Sequence, residues 1–354
     1  MRIVALRKRT ALTLGLAAAV AGLTAAPAAA DRHHGDGGRD RSGAYQSSVL
    51  VADDPAVGAP ITDSHLKNPW GIAFGATTPL WVADNDTGFS TLYSSNPAPA
   101  QAGLIVTTQP QPTGVAFNPT TGFKLPDGTA TRFLFDSLSG EISAWPAPPV
   151  TTTTTMVRMA GAKYTGLAVA NTADGPRLWA ADSRSKAVQV YDGDWDLVGV
   201  LTDRHLPVNL TPYGVAHLDG KVYVSYARND ENATGPHGAV DVFSDSGRLL
   251  RRLITGGPLD GPWGMAIAPQ DWGRFGGALL VSNEDGGWIN AFDRHSGRFL
   301  GTVRDADGQP IADDGTWGIA FGNGVIGTPE QLIVAVGADD YAHGLVKLVS
   351  PVSG

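Results

Sequence analysis

The chain has 354 residues, only 17% of them charged, with 45 Gly, 24 Pro and no Cys. Disulfide frameworks and thiolate metal sites are therefore excluded, and the turn-rich, charge-poor composition points to many turns and little surface helix. With 34 Asp and Glu against 26 Lys and Arg, the surface repels phosphate backbones and anionic lipid, which argues against nucleic acid or a membrane as partner.

Arg2, Arg7, Lys8 and Arg9 precede an uncharged apolar run from Ala11 to Ala26, and Ala28-Ala29-Ala30 offers a small-residue cleavage site. This pattern predicts a signal peptide over 1–30, cleaved near Ala30, and a mature protein secreted to the extracellular space or periplasm and free of the membrane. Removal of those four basic residues lowers the Lys and Arg from 26 to 22 against 34 acids, a formal charge of −12. Residues 31–44 (DRHHGDGGRDRSGA) lack a large apolar side chain and are expected to form a disordered tail, His33 and His34 included.

From Tyr45 onward one block recurs six times. Its copies are Pro69-Trp70-Gly71-Ile72-Ala73-Phe74, Pro112-Thr113-Gly114-Val115-Ala116-Phe117, Tyr164-Thr165-Gly166-Leu167-Ala168-Val169, Pro212-Tyr213-Gly214-Val215-Ala216-His217, Pro262-Trp263-Gly264-Met265-Ala266-Ile267 and Thr316-Trp317-Gly318-Ile319-Ala320-Phe321. The glycines stand 43 to 54 residues apart, room for four short strands and their turns, which is one propeller blade. Second strands follow at Leu80-Trp81-Val82-Ala83, Phe133-Leu134-Phe135, Leu178-Trp179-Ala180-Ala181, Val222-Tyr223-Val224, Leu279-Leu280-Val281 and Leu332-Ile333-Val334. Third strands stand at Ser90–Tyr93, Ala187–Tyr191, Ala239–Phe243 and Trp288–Phe292, and fourth strands at Leu104–Val106, Leu197–Leu201, Leu249–Ile254 and Phe299–Val303. After Gly344 to Val349 the sixth blade has no outer strand of its own, while Tyr45 to Val51 has no blade. The expected fold is an all-β, six-bladed propeller over 45–354, one domain, closed by the N-terminal strand pairing with the last blade.

Small residues suit the innermost strand, where the blades converge. Its start and the turn after the second strand share one face, so Trp70, Thr113, Thr165, Tyr213, Trp263 and Trp317 are expected around the channel mouth, either packing between blades or forming a ligand-stacking rim. Arg228 lies in a long polar insertion, Tyr226 to Gly238, and joins Trp70, Tyr213, Trp263 and Trp317 as a candidate ligand contact. Asp84, Asp136, Asp182, Asn283 and Glu284 open turns on the same face; they are candidate Ca²⁺ ligands or ordinary turn formers. Thr62-Asp63-Ser64-His65-Leu66 and Thr202-Asp203-Arg204-His205-Leu206 repeat one loop, and His217 replaces Phe or Val inside its block. No nucleophile elbow, phosphate loop or zincin motif is present.

The Gly-aliphatic-Ala blocks and the Leu-Trp-Val-Ala-Asp type of second strand resemble NHL-like repeats. The run from Tyr45 through Asn85 is similar to a family of exported bacterial hypothetical proteins, some of which carry a PEP-CTERM sorting segment. Ser350-Pro351-Val352-Ser353-Gly354 is no such segment, so a released protein is expected. That resemblance implies fold and export and leaves the activity open. The preferred reading is a non-catalytic module binding a small molecule, glycan or protein. The alternative is a calcium-dependent hydrolase or lyase, similar to gluconolactonase and regucalcin propellers. Their Glu-Gly-Pro opening is absent here, where Asn68-Pro69-Trp70-Gly71 stands.

Overall fold

This computed structural model describes residues 43–352, apart from 231 and 312. The leader at 1–30 and the tail, save Gly43 and Ala44, lie outside the described residues. Six sheets, antiparallel except where Val51 and Ala52 pair parallel with Ile61–Thr62, form six blades, each with the glycine block as its first strand. Blade four shows the pattern most fully, with strands Leu210–Leu218, Lys221–Arg228, Gly238–Phe243 and Leu249–Thr255. Blade two has third and fourth strands at Glu141–Trp145 and Thr154–Arg158, beyond those named from sequence. Blade one departs from expectation at its outer edge: Leu104 and Ile105 are not strand, and Ala100–Gln101 and Val106–Thr107 each pair separately with Phe89–Ser94. Gly103 sits in the gap, where a residue without a side chain weakens strand continuity.

Ring closure follows the expected scheme. Tyr45–Ala52 pairs antiparallel with Leu345–Pro351, completing the sheet that holds Leu332–Val336 and Thr316–Phe321. Tyr45 anchors the strand from its first residue. It is 1% exposed, its ring lies 4.5 Å from Trp272 and 5.8 Å from Phe275, and its hydroxyl donates to Trp272 O and accepts from Phe275 N, both at 3.2 Å. Past the strand's end, Asp53 accepts from Gly344 N and from His343 Nδ1, both at 2.9 Å, and pairs with Lys67. One carboxylate thus ties the N-terminal strand, the last strand and the approach to blade one.

At the axis the glycines abut neighbouring backbone. A Cβ placed on Gly264 would lie 2.4 Å from Trp317 O, one on Gly214 2.2 Å from Trp263 O, and one on Gly318 2.7 Å from Trp70 O, so the crowding continues across the closure. Gly166 has more room, with nothing nearer than 3.3 Å. In every blade the first-to-second-strand register slips beside this glycine, because the strand bows towards its neighbour.

Two outcomes test this frame in denaturant unfolding. Tyr45→Ala is expected to cost about 3–5 kcal/mol, as for a buried aromatic in a core, and Tyr45→Phe about 1 kcal/mol; equal, small effects would show that closure does not depend on this anchor. Gly264→Ala should destabilise by about 1–3 kcal/mol through overpacking, and Gly166→Ala by clearly less. The reverse order would contradict the axial crowding.

Candidate functional site

The first-strand starts do meet at one mouth of the channel. Trp70 stacks on Trp317 with centroids 3.8 Å apart and planes 16° off parallel, and Trp263 and Tyr213 meet that pair edge-on at 6.0–6.4 Å. Thr113 and Thr165, from blades two and three, leave the space that these four large rings fill. Trp263 Nε1 reaches across to Thr165 O at 2.8 Å and Trp70 Nε1 donates to Asn68 Oδ1 at 3.2 Å. The three tryptophans are 8%, 9% and 1% exposed, so their faces are spent on one another and the mouth is stoppered by an aromatic plug.

Above the plug lies a polar cluster assembled from three blades. Tyr213 of blade four and Tyr341 of blade six donate to the two oxygens of Glu284 from blade five, at 2.6 and 2.7 Å. Both tyrosines and Glu284 are half-buried. Burial and the Glu284 charge raise the Tyr213 phenol well above its ordinary range. Burial pulls Lys163 below its ordinary value, while attraction from Glu284 opposes that shift. Tyr341 ends three consecutive non-glycine residues in the left-handed region, with φ of 52°, 52° and 69°. Such backbone costs on the order of 1–3 kcal/mol per residue and is held only where its surroundings enforce it, typically at ligand clamps and active sites. Beside the cluster Arg228 Nη2 sits 3.0 Å from Asp260 and 3.7 Å from Asp285, and His237 Nδ1 lies 3.2 Å from Asp260.

Of the residues nominated from sequence, the structure therefore brings Trp70, Tyr213, Trp263, Trp317 and Glu284 together, with Arg228 in the same blade as Tyr213. Tyr341 and Asp260 were not singled out. Asp339-Asp340 stood out as a turn, but nothing in the pattern marked the tyrosine after it.

The other four oxygen donors are held by groups close to their own strands, Asp136 also by the backbone of Gly166 in the next blade. Register places Asp84, Asp182 and Asn283 two residues beyond Val82, Ala180 and Val281, and Asp136 one residue beyond Phe135, on the rung of Ser225 and Ser282. Side chains alternate along a strand, so Asp136 points to the opposite blade face from the other three. Asp84 is fully buried beside Thr91, and burial raises its pKa well above the carboxylate range. Asp182 gathers the amides of Lys163, Arg184 and Ser185 and the Gln189 side chain, and Asn283 Nδ2 donates to Pro258 O. Among the described residues no three His, Asp or Glu side chains come together as a cation site. Asp136 accepts from Gly114 N at 2.6 Å and Thr113 Oγ1 at 2.8 Å, the service that Ser225 and Ser282 give Gly214 and Gly264. In the repeated histidine loops the aspartates are the anchors. Asp63 accepts from His65, Tyr93 and Gln101, and Asp203 from His205 N and Arg252.

The far end of the channel is different in kind. A cavity of about 540 Å³ runs from the six first strands towards that face, with Trp263 of the plug among its lining residues. His217 stands in the lining, its Nε2 3.0 Å from Asp245 Oδ1 and its ring stacked on Trp179 at 5.4 Å and 6°.

A six-bladed propeller whose axial channel is stoppered at one mouth by an aromatic plug is thus the class that fold and site define. The chain is 33% identical over 284 residues to uncharacterized protein R648 of Acanthamoeba polyphaga mimivirus, spanning 73% of this chain and 69% of that protein, and it belongs to the same family. Protein L690 of the same virus is 29% identical over 282 residues, spanning 73% and 74% of the two chains. No family model matches the chain. Among solved structures, streptogramin B lyase superposes with a TM-score of 0.54 at 10% identity, over 86% of this chain and 97% of that one. A protein assigned as a gluconolactonase gives 0.52 at 15% identity, over 88% and 94%. These likenesses are of fold.

Asp136 carries a pH signature. Burial pushes its carboxyl from 3.8 up to about 6, against the hydrogen bonds from Thr113 and Gly114. A raised carboxyl pKa favours the fold below the unfolded value and loses that contribution as pH rises through the folded one. Over that window, about pH 4 to 7, Asp136→Asn should gain stability relative to wild type by on the order of 3 kcal/mol, from about two pKa units. Parallel stability profiles would mean that the carboxyl is ionised throughout.

Proposed function

We propose that this protein is an exported, non-catalytic binding propeller, with an NHL-like repeat, that takes a hydroxyl-rich ligand of the glycan class at the plugged mouth. Export rests on the leader at 1–30 and its Ala28-Ala29-Ala30 site. The observation that carries the binding site is the Tyr213–Glu284–Tyr341 cluster, three blades converging on one carboxylate, with one partner held by left-handed backbone. Glu284 accepts hydroxyl protons, Arg228 and Lys163 donate, and the tryptophan plug forms a rigid, water-excluding floor. Such a few polar groups over an aromatic base suit a small polar ligand.

A second reading, a calcium-dependent hydrolase or lyase, draws support from the fold shared with streptogramin B lyase and the gluconolactonase. It needs oxygen donors to converge on an ion, whereas Asp136 and Asp182 accept from nearby amides and side chains and Asn283 bonds to Pro258 O.

A glycan array followed by isothermal titration of the strongest hit tests the first reading. Tyr341→Phe and Glu284→Gln should each weaken binding about tenfold, or about 1.4 kcal/mol, with Ca²⁺ without effect on ligand affinity or melting temperature. An empty array, or affinities untouched by both substitutions, would remove the glycan reading. A calcium-induced rise in melting temperature that Asp136→Asn abolishes would favour the enzyme instead.

A further inference from the structure

We propose that the chain forms a two-fold homodimer in which the outer strand of blade three, Leu197–Leu201, pairs antiparallel with the same strand of a second copy. This strand is the last of its sheet and bonds on one side to Ala187–Asp192, so its other edge presents backbone N–H and C=O groups with no ladder in the chain. Leu197, Val198 and Val200 are 48%, 49% and 55% exposed, and no charge interrupts the strand. The other outer edges among the described residues are guarded or short. Arg158 stands in that of blade two and Arg251 and Arg252 in that of blade four, while Gln46, Ser47 and Ser48 are the exposed residues of the closing strand. Blade one's edge is broken, and blade five's spans four residues.

The sequence of the bare edge fits a second copy of itself. Leu197-Val198-Gly199-Val200-Leu201 reads the same in both directions. A two-fold axis through Gly199 therefore sets Gly199 against Gly199, Val198 against Val200 and Leu197 against Leu201, and the apolar side chains of the two ribbons cover one another. A Cβ on Gly199 would meet nothing within 4 Å, so the centre of the strand is uncovered. The bulge at Val198, which faces no residue of the third strand, sharpens the local twist and leaves the outer edge in place.

Charge fixes the direction of pairing. The turn before the strand carries Asp194 and Asp196, and the turn after it carries Arg204; all three are exposed and, among the described residues, in no ion pair. Asp203, beside Arg204, is spent on Arg252. Antiparallel pairing about Gly199 brings Asp194 of one copy to the register of Arg204 of the other, twice over, whereas parallel pairing would set like charges together. Each chain has one such edge, so the assembly closes at two.

The chain has no cysteine, so a single Gly199→Cys reads the axis directly. Opposed residues of an antiparallel pair have Cα atoms about 4.5–5.5 Å apart, within the span of a disulfide. Mild oxidation should convert most of this variant to a covalent dimer on a non-reducing gel, whereas Val208→Cys, 87% exposed but off the axis, should stay largely monomeric. Sedimentation equilibrium of the wild-type chain should give twice the monomer mass, and Val200→Lys, which sets two cations beside the axis, should weaken that association at least tenfold with an unchanged far-UV circular dichroism spectrum. A wild-type chain that stays monomeric at high concentration, Gly199→Cys cross-linking no better than Val208→Cys, or a dimer undisturbed by Val200→Lys would each overturn the proposal.

Discussion

Six inner strands can share one axis only if each presents almost no side chain where it passes its neighbour, and the rest of this molecule follows from that crowding. Gly214 and Gly264 lie so close to the next blade's carbonyl that a Cβ would intrude on it. The strand must bow there, which breaks its ladder for one residue beside Gly214 and two at Gly264 and leaves amide groups to be satisfied by other means. Ser225, Ser282 and Asp136 do so from the second strand, accepting the glycine N–H, and the two serines donate onward to the next blade's tryptophan carbonyl. A serine can both accept and donate in that position. Asp136 does the same accepting with a carboxyl that burial drives towards its neutral form.

Because the constraint is local and recurs in every blade, it was legible: the glycine block marked all six inner strands, and the unmatched run at Tyr45 marked the closing strand. The other repeated feature was not. Each third strand carries a polar residue opposite the core residue of its second strand, namely Thr91, Ser143, Gln189, Asp241, Asn290 and Lys347. Most tie the sheet to the loop leading into their own blade: Ser143 to Gln109, Asn290 to Pro258 O, Lys347 to Asp313, and Asp241 through Arg252 to Asp203. Geometry fixes the position while any residue able to reach a partner will serve, so six different residue types occupy it and no motif emerges. Burial raises the Asp241 carboxyl to about 7, with the Tyr226 hydroxyl opposing.

The site was legible in part for the same reason. Position in the block located Trp70, Tyr213, Trp263 and Trp317 at one mouth, since that follows from strand direction alone. Whether their rings would face a ligand or one another depended on how much of the ring of six was large. Thr113 and Thr165 decided it, leaving room for indoles to cross the axis. Tyr341 lay beyond any such argument, because its place on Glu284 depends on a backbone excursion through Asp339 and Asp340 that aspartate tolerates better than most residues and tyrosine does not.

The two ends of the axis differ in chemistry because the second and sixth residues of the block differ in reach. At the second position three indoles and a phenol extend across the centre and exclude everything else. At the sixth stand Phe74, Phe117, Val169, His217, Ile267 and Phe321, whose side chains pack back between the blades, so the channel stays open there. The closed end must then collect its polar groups above the plug, on the loops, where three blades can meet at Glu284. The open end admits a polar atom only within the strand, where the fold has paid for His217 with a carboxylate at Asp245 and a tryptophan beneath the ring. An unpartnered imidazole in a hydrocarbon wall would be costly to keep. Partnered by a carboxylate and stacked on an indole, the ring keeps its place beside apolar neighbours where a bare imidazole would not.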